Sequence, residues 1–138
     1  MVRGSFIVLA LALAACGSPA EAPAEPAAAP LAATELVGEY RVAGVDGSDV
    51  NLPHAITASI SADRIHLISD CVNLAWDYTL AGGSMATRQV PVESCARGFE
   101  PTEQALLSAL DVADTVSRTE ANAIEFSGGG HSVTLFSQ

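Results

Sequence analysis

Serine, histidine and aspartate side chains are the residues from which this chain could build a hydrolytic site. His131-Ser132 follows three glycines, and His66 and Asp70 lie near each other on another segment, so that a triad can be drawn on paper. A nucleophilic serine also needs a base within hydrogen-bond reach and a turn that presents it. The chain has no Gly-x-Ser-x-Gly motif, and Gly82-Gly83-Ser84 is better explained as a hairpin turn. The sequence therefore predicts a protein that is not an enzyme and has no catalytic residues.

The histidines and acidic residues are poorly spaced for binding a metal. His54, His66 and His131 lie on three different segments, without His-x-x-x-His spacing. The stretch Asp46–Asn51 groups four oxygen-bearing side chains, but it lacks the closing glutamate of a twelve-residue calcium loop. A simple Asp46-Gly47 turn is the preferred interpretation. We expect neither a metal nor another cofactor.

The first cysteine, Cys16, ends a segment typical of exported proteins. Arg3 gives a positive start, and an apolar run then extends over residues 6–15. This run is about half the roughly 20 residues of a membrane-spanning helix. Leu13-Ala14-Ala15-Cys16 resembles the bacterial lipobox, in which the cysteine is lipidated and becomes the new N-terminus. We therefore predict a signal peptide over residues 1–15, a membrane anchor at Cys16 and, because Gly17 rather than aspartate follows, an outer-membrane location facing the periplasm.

The other two cysteines, Cys71 and Cys95, form an even pair in a chain that is predicted to be exported. An oxidising compartment favours a disulfide between them. Such a bond would close a loop of about 25 residues and contribute about 3.5 kcal/mol in the chain-entropy model. Two buried free thiols are the alternative. A nucleophilic Cys71 is disfavoured because the neighbouring carboxylate of Asp70 would raise its thiol pKa.

The charge balance is strongly acidic and limits the possible partners. Six Lys or Arg residues face 16 Asp or Glu residues, which gives a formal charge of −10. Removal of Arg3 with the signal peptide takes this charge from −10 to −11. Binding to nucleic acid depends mainly on cationic side chains, so nucleic acid is not expected as a partner. A basic envelope protein remains a possible partner.

Hydrophobic periodicity predicts one α+β domain, a mostly antiparallel small β-sheet or barrel with one helix. Residues 16–34, rich in alanine and proline, are predicted to be an extended, disordered tether, and the domain occupies residues 35–138. Alternating apolar residues predict strands, the first of which begins at Leu36 and the clearest of which contains Trp76 and Tyr78. Pro101 suits a first helical position, and Glu103 places an acid near the N-terminal dipole of this helix. Leu106, Leu107, Leu110 and Ala113 form the predicted buried stripe. Strand character is expected to return after Arg118, in a hairpin around Gly128-Gly129-Gly130.

Several of these residues, in this order, resemble the META/HslJ-like domain. The resemblance covers about residues 35–136 and rests on Leu36-Val37-Gly38-Glu39-Tyr40, on Cys71 with Asn73, and on Cys95 followed by Glu103 and a leucine-rich helix. Two motifs depart from the family: Tyr40 replaces a usual tryptophan, and Asp70-Cys71-Val72-Asn73 replaces Gly-Cys-Asn. The resemblance implies a small antiparallel β domain with one helix, often carried by lipoproteins and linked to stress or drug tolerance. It implies no agreed catalytic site or ligand.

Three functions remain open at this point. The first is a non-catalytic, membrane-tethered envelope domain that supports stress or drug tolerance through binding or structural support. The second is an acidic inhibitor or adaptor of a basic envelope enzyme such as lysozyme. The third is a small-ligand pocket lined by Trp76, Tyr78 and Phe99, although these aromatic residues are expected to belong to the core. No ligand-binding residue is assigned.

Overall fold

The structure is a computed structural model that describes residues 30–138. The predicted signal peptide, the lipidation site Cys16 and most of the tether lie outside these residues. The described part contains two helices and nine strands. In chain order they are α1 (Ala33–Leu36), β1 (Gly38–Val45), β2 (Ser48–Asp49), β3 (Ile56–Ile60), β4 (Arg64–Ser69), β5 (Val72–Ala81), β6 (Ser84–Val90), α2 (Pro101–Asp111), β7 (Thr115–Arg118), β8 (Ile124–Gly128) and β9 (His131–Ser137).

The strands close into a barrel. Strands β1, β3, β4, β5, β6, β7, β8 and β9 follow one another around it in antiparallel pairs, and β9 pairs back onto β1. The two-residue strand β2 pairs only with the end of β1. The predicted fold, a mostly antiparallel sheet or barrel with a helix, is thus confirmed in its coarse form. The β6–β7 junction is the weakest, since it contains the single pair Ser84–Thr115.

The core follows from the two-residue period of the strands. In β5 the side chains of Leu74, Trp76 and Tyr78 are buried on one face, whereas those of Asn73 and Asp77 on the opposite face are partly exposed, with Ala75 between them also buried. Successive side chains of a strand point to opposite faces, so one face of β5 fills the barrel and the other meets solvent. Strands β3 and β4 show the same alternation, and they pair as an antiparallel hairpin whose apolar face points inward.

Helix α2 begins where the sequence predicted. Pro101 occupies the first turn, and the helix packs against β1, β6, β8 and β9. Leu106 and Leu110 are buried as expected, and Ala113 is buried just beyond the helix end. Leu107 is only half-buried, and Ala109 takes a place in the buried stripe instead. None of the helices in residues 30–138 has both the length and the apolar character to cross a membrane.

Two local predictions were wrong. Leu36 was expected in a strand, but it ends the helical turn α1, where it is fully buried and accepts a 2.8 Å hydrogen bond from the Tyr40 hydroxyl. Ala33 and Leu31 pack against the same core, so ordered structure extends into the end of the predicted tether. Strands β8 and β9 follow Arg118 as expected, but the additional strand β7, which ends at Arg118, was not predicted. Its only buried side chain is Val116, too little to show an alternating pattern.

Gly128 allows the β8–β9 hairpin to approach the chain after α2. A Cβ atom at this position would overlap the carbonyl oxygen of Val112 and lie 2.7 Å from the Asp114 nitrogen. We expect Gly128→Ala to lower the free energy of unfolding by about 2 kcal/mol, because backbone atoms must move to admit the methyl group. The measurement is denaturant unfolding followed by Trp76 fluorescence. Gly98→Ala is the matched control, since no atom lies within 4 Å of its added Cβ. Equal stabilities of the two variants would contradict the close approach.

Candidate functional site

A cluster of four polar side chains, Arg97, Glu103, Ser69 and His54, lies where α2, β4 and two loops meet. Glu103, in the first turn of α2, is fully buried. Arg97 donates two hydrogen bonds to it, from Nη2 to Oε1 at 2.6 Å and from Nη1 to Oε2 at 2.8 Å. The Glu100 backbone N–H donates a third, at 2.8 Å. The paired geometry of guanidinium and carboxylate is the strong form of this interaction.

Ser69 and His54 complete the cluster in an order unlike that of a catalytic triad. The Ser69 hydroxyl is buried and donates to Glu103 Oε1 at 2.5 Å. Because its proton is directed to the carboxylate, Ser69 Oγ accepts from His54 Nε2, which lies 2.9 Å away. A nucleophilic serine would instead donate its proton to the histidine. Through these hydrogen bonds the cluster connects the loop that contains His54 with β4 and with α2, which is a structural role.

The cluster also determines the charge state of its buried acid. The hydrogen bonds from Arg97 are the main cause that lowers the pKa of Glu103 to about 2, against the opposing effect of burial. The Ser69 hydroxyl and the Glu100 N–H lower this pKa further. The hydrogen bonds between Arg97 and Glu103 also raise the pKa of the Arg97 guanidinium. Both groups are therefore charged at neutral pH, and the cluster contains a partly buried ion pair.

The disulfide between Cys71 and Cys95 is present, as predicted. The Cα atoms of the two cysteines are 5.6 Å apart. The Cys95 N–H also donates to the Cys71 carbonyl at 3.2 Å, and the Asn73 N–H donates to Ser94 Oγ at 3.0 Å. Residues 91–100, which we name the connecting segment, are thus held to the turn before β5 by the disulfide, to β5 by the Asn73–Ser94 hydrogen bond, and to α2 by Arg97.

A groove of about 340 Å³ runs between this connecting segment and the ends of β5 and β6. The connecting segment contributes Phe99, 46 % exposed, and Val92, 38 % exposed. From the strands, Leu74 and Gln89 also line it. The groove is an open, partly apolar surface at which a binding partner could insert a side chain.

The residues considered for a triad are not brought together. His66 is on β4 and His131 is on β9, with β3 and β1 between these strands. His131 Nδ1 instead lies 3.0 Å from the carboxylate of Asp46. The Ser132 backbone N–H also donates to Asp46 and is the main cause that lowers the pKa of this carboxyl group. This contact joins the β1–β2 turn to the start of β9.

The stretch Asp46–Asn51, which was weighed as a calcium loop, begins with a tight turn. Asp46 and Gly47 both have positive φ angles, 51° and 73°, as in a two-residue hairpin turn. The carboxylate of Asp46 is already engaged by Ser132 and His131. Across residues 30–138, no group of three or more His, Cys, Asp or Glu side chains is placed to hold a metal ion.

Two of the three aromatic residues considered for a ligand pocket belong to the core. Trp76 is fully buried and donates from Nε1 to Asp111 Oδ1 at 2.6 Å. Tyr78 is 3 % exposed, and its hydroxyl donates to the Ser61 carbonyl at 2.7 Å. Burial raises the pKa of Tyr78. The prediction that Phe99 also lies in the core was wrong, because Phe99 lines the surface groove.

Sequence reasoning did not identify the Arg97–Glu103–Ser69–His54 cluster. Glu103 was expected only to interact with the N-terminal dipole of α2, the usual role of an acid in the first turn. One further signal was available: Glu103 lies three residues after Glu100, the spacing of a capping interaction. The sequence gives no signal for the partners of Glu103, since Ser69 and Glu103 are 34 residues apart in the chain.

Comparisons with known proteins support the fold. No protein-family model and no curated protein sequence matches the chain. Among solved structures, the chain is similar to the NMR structure of a protein from Burkholderia xenovorans, with 19% sequence identity and a TM-score of 0.53. The match covers 88% of this chain and 97% of the other. At this identity the likeness shows a common architecture and carries no information on activity.

Proposed function

We propose that this chain is a lipid-anchored envelope protein, attached at Cys16, whose barrel acts by binding or structural support rather than by catalysis. The observation that carries the proposal is the orientation of Ser69. The most triad-like group of side chains has its serine buried and donating to Glu103. The groove beside the connecting segment is, by contrast, open to a partner. We place the domain in the outer membrane, facing the periplasm.

We further propose that the domain is META/HslJ-like and contributes to stress or drug tolerance. A small antiparallel barrel with one main helix agrees with what the sequence resemblance implies. Cys71 and Cys95, two of the residues on which the resemblance rests, are bonded to each other. The departures at Tyr40 and around Asp70–Asn73 remain. A deletion strain should be more sensitive to heat or to envelope-active drugs, and expression of the chain should restore tolerance. Unchanged sensitivity of the deletion strain would contradict this role.

The anchor is tested by the intact mass of the protein from its own cells, alkylated with and without prior reduction. We expect loss of residues 1–15, added acyl mass at Cys16, and two alkyl groups that appear only after reduction. A Cys16→Ala variant is the control and should leave the membrane fraction. A mature protein with an unmodified Cys16 thiol would contradict the proposed anchor.

An inhibitor or adaptor of a basic envelope enzyme is the second candidate, and the ion pairs formed by the arginine side chains favour it. Arg64 and Arg88 are each within 2.7 Å of an oxygen of Asp77, and Arg97 is bonded to Glu103. Three of the five arginines in residues 30–138 thus lie in ion pairs, two of them sharing Asp77, while the chain as a whole has a formal charge of −10. Calorimetric titration with hen egg-white lysozyme should show binding that weakens as salt increases. No binding at low salt would exclude this enzyme as a partner.

A further inference from the structure

Most of one edge of strand β6 is not paired with a neighbouring strand. A two-residue turn, Gly82-Gly83, with φ angles of 59° and 85°, sets its register by pairing Ala81 with Ser84. Hydrogen-bonded and non-hydrogen-bonded pairs then alternate along the β5–β6 ladder. The backbone groups of Met85, Thr87 and Gln89 therefore point away from β5.

Beyond its first residues, this edge has no strand beside it. The Met85 N–H donates to the Asp114 carbonyl at 2.7 Å, and the β6–β7 pairing contains only Ser84–Thr115. Within residues 30–138, no backbone hydrogen bond outside β5 reaches Thr87 or Gln89. Gln89 is exposed, and Pro91 follows at the next edge position. Proline has no N–H, so the free edge is short, a common way to limit unwanted strand pairing.

The groove described above continues from this edge. Gln89 and Pro91 form one side of it, and Val92 and Phe99 provide exposed apolar surface beside them. An added strand would obtain main-chain hydrogen bonds from Gln89 and a site for one apolar side chain near Phe99. These are the two components of peptide recognition by strand addition.

The charges around the edge favour a cationic segment. Glu93 and Glu100 are exposed in the connecting segment, and Asp70 is exposed next to the disulfide. The one arginine of the groove, Arg97, is bonded to Glu103, and Arg88, next to Gln89 on β6, is paired with Asp77. The C-terminal end of α2 also approaches β6, since the Thr87 hydroxyl donates to the Leu110 carbonyl at 2.6 Å. A helix C-terminus carries partial negative charge, and α2 has no basic residue in its last turn.

We propose that the free edge of β6 binds an extended, basic and apolar segment of a partner protein as an added strand. The backbone of Gln89 pairs with this segment, and one of its apolar side chains enters the groove beside Phe99. Lysine or arginine side chains of the segment lie near Glu93 and Glu100. This inference rests on the proposed binding function and assigns it to one surface.

The test uses the full chain and a fluorescein-labelled peptide of alternating lysine and valine, measured by fluorescence anisotropy. Gln89→Pro removes the edge N–H without removing a β5 hydrogen bond, and we expect it to weaken binding by about tenfold or more. Gln89→Ala keeps the N–H and is the matched control, expected within about twofold of the wild type. A peptide with glutamate in place of lysine should not bind. The near-UV circular dichroism of Trp76, the cross-strand neighbour of Gln89, reports whether Gln89→Pro is folded.

A peptide N-methylated at alternate amides provides a second measurement if Gln89→Pro does not fold. Strand addition predicts loss of binding in one of the two methylation registers, because the Gln89 carbonyl then has no donor. Unchanged binding to Gln89→Pro, or to both methylated peptides, would overturn the edge assignment. If the lysine–valine peptide does not bind but lysozyme does, this inference fails and the proposed binding function stands. If neither binds, the inference fails together with the lysozyme candidate.

Discussion

Replacing Arg97 with methionine should lower the free energy of unfolding by about 3 kcal/mol at pH 7. Arg97 donates two hydrogen bonds to the fully buried carboxylate of Glu103, and its loss leaves that charge with only the Ser69 hydroxyl and the Glu100 N–H. Methionine retains much of the side-chain volume, so the effect reports the lost charge rather than a cavity. Denaturant unfolding followed by Trp76 fluorescence measures it.

Arg118→Met is the control for this experiment. Arg118 is exposed, and its guanidinium donates to Asn122 on the surface, so we expect a change within about 0.5 kcal/mol. Adding Glu103→Gln to Arg97→Met should recover part of the loss, because the uncompensated charge is removed. Equal stabilities of the Arg97 and Arg118 variants would show that the buried ion pair contributes nothing.

The same pair predicts a particular dependence of stability on pH. The pKa of Glu103 falls from its ordinary value of 4.5 to about 2 on folding. The folded state therefore favours the ionised form, and this contribution is fully present above pH 4.5 and disappears as the pH falls towards 2. The difference in stability between wild type and Arg97→Met should accordingly be largest near neutrality and become smaller between pH 4.5 and 2. A difference that is constant over this range would contradict the assignment to Glu103.

Replacing both cysteines of the disulfide with alanine should lower the free energy of unfolding by about 3.5 kcal/mol. The bond joins residues 24 positions apart, and its loss allows the unfolded chain many more conformations. Reduction of the wild type should give a similar loss. An unfolding midpoint that is insensitive both to reduction and to the double substitution would show that the bond does not stabilise the fold.

The two perturbations should not be additive. The disulfide and Arg97 hold the same connecting segment, residues 91–100, and residues that share a structural element are usually coupled. Once one attachment is lost, the segment loosens and the other attachment contributes less. We expect the combined variant to lose less stability than the sum of the separate losses. Strict additivity would show that the two attachments act independently.

The local parts of the fold could be predicted from the sequence because their causes are local. Alternation of apolar residues determines the inward face of β5, paired glycines determine the turn before β6, and Pro101 determines where α2 begins. The pairing of Cys71 with Cys95 follows from their number once Cys16 is assigned to lipidation. Helix α1 and strand β7 were not predicted because each is too short to show a periodic pattern.

The sequence by itself thus determined the longer strands and the main helix, the acidic charge and the cysteine pair, since each depends on residue type and short-range spacing. Only the tertiary structure decided the closure of β9 onto β1, the burial of Glu103 beneath Arg97 and the free edge of β6. These features join residues far apart in the chain, such as Ser69 with Glu103 and Tyr40 with Ser137. Their partners are selected by how the whole barrel packs, and neither periodicity nor local propensity contains that information.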